Sequence, residues 1–128
     1  MEITANAIQT VAENQNVIFT DTVTSGNCSI MHREGSGLVT LRGLTNQCRA
    51  RFRVSFGGNI AIPTGGTVGP ISLAIAINGE PIATTTMIST PAAVEEYNNV
   101  FSAIFLDVPR NCCSSISVRN TSDQEVNV

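Results

Sequence analysis

The chain of 128 residues contains no lysine and no tryptophan, and only one tyrosine and one histidine. Charged residues make up 13% of it, about half the usual share, and the net charge is −3. With arginine as the only basic residue and an acidic balance, it lacks the cationic face that general nucleic-acid binding needs. No stretch of apolar residues reaches the length of a transmembrane helix, so neither nucleic acid nor membrane is an expected partner. The start, MEITANAIQT, has neither the cationic lead nor the apolar run of a secretory signal. The four cysteines, Cys28, Cys48, Cys112 and Cys113, form no C-x-x-C pair. Their spacing leaves buried thiols, a disulfide or a metal site all open.

What is abundant is β-branched. Isoleucine, valine and threonine supply 39 of the 128 residues, which favours strands over helix interiors. The length allows one domain, burying roughly two-thirds of the surface that the unfolded chain would expose. Period-two alternation dominates. In residues 49–56, Ala50, Phe52, Val54 and Phe56 share one face, and Arg49, Arg51, Arg53 and Ser55 the other. Gly57-Gly58 is expected to end that strand, and 59–62 to form a short separate one. Ile71, Leu73, Ile75 and Ile77 alternate with Ser72, Ala74 and Ala76, followed at once by Asn78-Gly79, a strong hairpin signal. Residues 82–88 read as the return strand, 91–99 as a loop with one helical turn, 100–108 as a long apolar strand, 113–119 and 125–128 as further strands. Short strands are also expected around 17–23, 28–33 and 38–44. The expectation is an all-β, jelly-roll β-sandwich of about eight to ten antiparallel strands. Residues 16–128 form that domain and the weakly patterned residues 1–15 an N-terminal arm.

Candidate chemistry is sparse. His32 lies four residues after Cys28, about 13 Å along a strand and too far for a hydrogen-bonded nucleophile–base pair. Glu95-Glu96, adjacent in a loop, do not face one another as acid–base carboxylates must. The glycine pairs have no following lysine and helix to cradle phosphate, and the three aspartates are dispersed. No catalytic residue, metal site or cofactor is therefore expected. The row Arg49, Arg51 and Arg53 would either pair with carboxylates of a neighbour or contact an anionic partner. Small residues at 74, 76, 102 and 103 would let another surface approach closely, and a long strand with few charges needs a cover. These features predict a large apolar area buried between copies of the chain.

The run Ser72-Leu-Ala-Ile-Ala-Ile-Asn-Gly-Glu-Pro81 resembles the L-x-I-x-x-N-G hairpin of the trimeric jelly rolls of the complement globular head and tumour necrosis factor superfamily. It is most similar to the bacterial and phage branch, which includes tip domains of collagen-like spore-surface glycoproteins and phage head fibres. Asn16–Phe19, Arg51–Phe56 and Val100–Asn120 fit the same pattern, with Arg51 and Arg53 standing where the family has glycine and tyrosine. The resemblance spans about residues 15–128. It implies a ten-stranded homotrimer with no enzymatic activity, whose three-fold axis is lined by Val100, Phe101, Ser102, Ile104, Phe105 and Leu106.

Together these readings lead to a structural protein on a virion surface, a capsid decoration or head fibre assembled in a host cytoplasm. Ile3, Ile8 and Val11 of the arm would anchor it to the major capsid protein or another virion protein. The alternative is a spore- or cell-surface tip that binds a host-surface glycan or protein. The alternating end at Val128 predicts pairing with further chain or a neighbour.

Overall fold

The computed structural model describes all residues except 6, 25–28, 45 and 111–112. Among the described residues there are twelve strands and no α-helix. The first five are β1 (Glu2–Thr4), β2 (Thr10–Val11), β3 (Asp21–Thr24), β4 (Ile30–His32) and β5 (Val39–Arg42). Two longer ones follow, β6 (Arg49–Ile60) and β7 (Ile71–Ile77), then β8 (Glu80–Pro81) and β9 (Met87–Ser89). The chain finishes with β10 (Asn98–Pro109), β11 (Cys113–Asn120) and β12 (Val126–Asn127). All pairings are antiparallel.

One sheet runs β4-β5-β11-β7, with β8 and β9 both pairing the far edge of β7. Opposite it lie two ribbons, β12-β2 and β10-β6. Ala61, just past β6, exchanges both backbone hydrogen bonds with Asn127 at 3.0 and 2.9 Å, which joins the ribbons into one layer. β1 and β3 form a separate ribbon. The layers meet through two apolar clusters. The first joins Leu73, Ile71, Met87 and Val118 to Phe56, Ile60, Val100, Val11 and Val126. The second joins Val39, Leu41 and Ile116 to Phe52, Val54, Leu106 and Val108. Burial of this kind stabilises by about 25 cal/mol per Å² of apolar surface, and it explains why the inward phase of each alternating strand is apolar.

The hairpin at 78–79 forms as its residues dictate. Asn78 and Gly79 have φ of 53° and 86°, and β7 turns directly into β8. This is the left-handed geometry that asparagine and glycine tolerate best. The return is not one strand over 82–88. The buried Thr85 hydroxyl accepts from the Ile75 N–H at 3.0 Å and donates to the Ile82 carbonyl at 2.7 Å. That pulls residues 83–85 into a 3₁₀ turn between β8 and β9. Nor do Gly57 and Gly58 end β6, which runs unbroken through them to Ile60. A Cβ on Gly57 would sit 3.3 Å from the Phe101 ring and one on Gly58 3.2 Å from the Phe56 ring. The glycines are room for aromatic side chains within a continuous strand. Residues 91–97 contain turns and bends and no helical turn. Ala74 and Ala76 are buried within the chain, so their small side chains offer no surface to a second copy.

Residues 1–15 are not an arm outside the domain. β1 pairs with β3, β2 pairs with β12, and Val11 is 3% exposed in the first core cluster. Asn120 holds this arrangement from a fully buried position. Its Nδ2 donates to the carbonyls of Val11 and Gln124 at 2.9 Å and of Ala12 at 3.3 Å, and its Oδ1 accepts from Ser122 N–H at 2.9 Å. The end of the chain is likewise paired internally, since Val128 and Gln9 exchange two backbone bonds.

Candidate functional site: the outer face of the long ribbon

The β6–β10 ribbon is twelve residue pairs long. Its inward phase fills the core, so its outward phase is fixed by strand geometry. Cross-strand partners on the outer face are Gly57 with Phe101, Ser55 with Ala103, Arg53 with Phe105, and Arg51 with Asp107. Phe101 and Phe105 are 63% and 67% exposed. They are spaced roughly 13 Å apart along one strand, with Ala103 between them and Gly57, Ser55 and Arg53 beside them on β6. An exposed aromatic pair of this kind is an adhesive surface, because burying each ring removes a large apolar area from water.

This geometry divides the six residues expected at a three-fold axis. Phe101 and Phe105 face outward. Val100 is buried, and Leu106 packs into the second core cluster. Ser102 and Ile104 are half-buried on the same inward phase. The sequence marks 100–108 as a long apolar strand, and burial decides which of its phases faces solvent.

The arginine row is divided as well. The Arg51 guanidinium donates from Nε to Asp107 Oδ1 at 2.9 Å and from Nη2 to Oδ2 at 3.3 Å, while Arg49 Nη1 lies 3.7 Å from Oδ2. The carboxylate therefore comes from the same chain. Arg53, facing Phe105, has no ion pair among the described residues. The hydrogen bonds from Arg51 hold the Asp107 carboxyl below the usual carboxylate range, and Asp107 in turn raises Arg51. A lowered carboxylate contributes stability above its unfolded value near 4, and that contribution is lost as pH falls through the lower folded value. Asp107→Asn should accordingly lower the melting temperature slightly at neutral pH. The gap from the unsubstituted protein should close below about pH 4. The effect is small because the pair is solvent-screened.

The other candidate residues are structural. Glu95 Oε1 accepts from Thr64 N–H and Oγ1 at 2.9 and 3.0 Å, and Glu96 Oε2 from Ala92 and Ala93 N–H at 2.8 and 3.3 Å. Each carboxylate ties a loop. The His32 ring lies 3.0 Å from the Ser36 carbonyl through Nε2 and packs edge-on against Phe19. Cys28 and Cys112 lie outside the described residues, while the side chains of Cys48 and Cys113 are exposed and not buried. Cys48 falls in the bend that leads into β6. Of the three expected anchors, Val11 belongs to the core, Ile3 packs against the second core cluster, and only Ile8 is well exposed, at 71%. Among the described residues no group of three or more metal-ligating side chains exists, and no helix is long and apolar enough to cross a membrane. No protein-family model matches the chain, and no curated protein matches it.

Proposed function

We propose that this protein is a structural subunit without enzymatic activity, a homotrimer displayed on a particle surface, and that the particle is a bacteriophage head carrying it as a decoration or fibre. The observation that carries the reading is the outward pair Phe101 and Phe105 on a long, low-charge ribbon. Two others support it. The total accessible surface is 7241 Å², whereas a compact monomer of this mass has about 6,500 Å². The strand orders β4-β5-β11-β7-β9 and β2-β12-β6-β10 interleave the two halves of the chain across two layers, as a jelly roll does. In this reading Phe101, Ala103 and Phe105 meet their copies about a three-fold axis. Ile8 stays available for attachment to a capsid protein. The particle assignment rests on the family resemblance alone.

Sedimentation velocity tests the assembly. The unsubstituted chain should run as a trimer at micromolar concentration. Phe101→Asp with Phe105→Asp should run as a folded monomer, because neither ring contributes to the core. A monomeric unsubstituted chain, or a trimer that survives both substitutions, would overturn the proposed interface.

A further inference from the structure

Among the described residues, β6 pairs with β10 alone. Among the described residues, residues 52–59 make no backbone hydrogen bonds except those to β10. Half of their N–H and C=O groups therefore point along the opposite edge, a row of open donors and acceptors about 25 Å long. That edge borders an open groove of about 770 Å³. Its floor is the apolar inner surface of the facing sheet, at Val39, Leu41 and Ile116, and its far wall is the β1 segment around Ile3. Thr4 Oγ1, in that wall, is buried without a hydrogen-bond partner. At one end of the same edge, beyond Ile60, Asn127 already pairs with Ala61 in antiparallel sense. The lane beside β6 is thus strand-lined at one end and, among the described residues, unpaired along the rest.

We propose that the groove is an acceptor site for an extended polypeptide segment, which inserts as a strand antiparallel to β6 and completes the second layer. Main-chain bonds to the open edge supply the affinity and alternate side chains supply selectivity, the recognised mode of strand addition. The chemistry of the occupant follows from the walls. Its inward positions are apolar and β-branched, to pack on the half-buried Ile3, Ile30 and Ile116 that line the groove. Its outward positions are polar, with a carboxylate opposite Arg53, which has no ion pair among the described residues. A small apolar molecule would cover the floor and leave the backbone edge unpaired, so the edge favours a peptide. This inference is independent of the trimer surface, which lies on the outer face of the same strand.

The test uses capped peptides of roughly nine residues, alternating valine with serine, threonine or aspartate, added to the intact protein. Saturable binding is expected, with amide exchange on β6 between Arg53 and Gly58 slowed at least tenfold. N-methylating alternate peptide residues in one phase should abolish binding, while methylating the other phase should leave it, because only one phase faces β6. A peptide of the same composition with its valines in one block should not bind. Equal binding of both methylated peptides, or of the blocked peptide, would mean an unspecific apolar groove and overturn the proposal. So would no binding at all, or protection of residues 52–59 that rises with protein concentration alone, which would mean that a second copy pairs there.

Discussion

Asn120→Ala should destabilise the protein by about 2–4 kcal/mol, read as a fall of roughly 10 °C or more in melting temperature. The fully buried amide donates to three carbonyls and accepts one N–H. Truncation leaves those groups without their partner at a fully buried position. The carbonyls of Val11 and Ala12 belong to the β2 segment, and that of Gln124 to the approach to β12. The loss should therefore show first as fast amide exchange around residues 9–17. Asn120→Asp should be as damaging, since it keeps the acceptor and removes the donor. A neutral Asn120→Ala would show that β2 is held by apolar contacts alone.

Leu73→Ala should cost about 2.5–5 kcal/mol, the transfer energy of the lost methyl groups plus that of the cavity left behind. Leu73 is fully buried at the centre of the first core cluster and is the cross-strand partner of Asn120. Directly paired residues project from the same sheet face, so the two truncations open adjoining space. Their double substitution should depart from additivity by 0.5 kcal/mol or more, on the order seen for contacting residues. Denaturant unfolding of the four proteins measures it, and strict additivity would mean that the polar clamp and the apolar core respond separately.

Much of the all-β character was legible in local pattern, and residues 71–79 are the clearest case. Alternation and an Asn-Gly turn are local signals, and both appear in the structure. The misreadings share a cause in long-range contacts. Gly57 and Gly58 look like a strand end until Phe101 and Phe56 occupy the space a Cβ would fill. Residues 82–88 look like one strand until the Thr85 hydroxyl takes hold of β7. Residues 1–15 look like an arm because β1 and β2 are three and two residues long, and Asn120, which holds the β2 segment, is more than a hundred positions away. The candidate surface was half legible, since 100–108 read as an apolar strand while its two phases were not told apart. Burial of Val100 against the far sheet assigned Phe101 and Phe105 to solvent.

The pairing of β2 with β12 also sets a schedule. Thr10 bonds Asn127 across 117 positions of chain. At translation rates of roughly 5–20 residues per second, the segment around Thr10 waits about 6–25 s on the ribosome before its partner has been made. For that interval Val11 has no strand to pair with, and the side of the core that it closes stays open. Truncated nascent chains should therefore be protease-sensitive near residues 9–17 while the 71–79 hairpin has long been able to form.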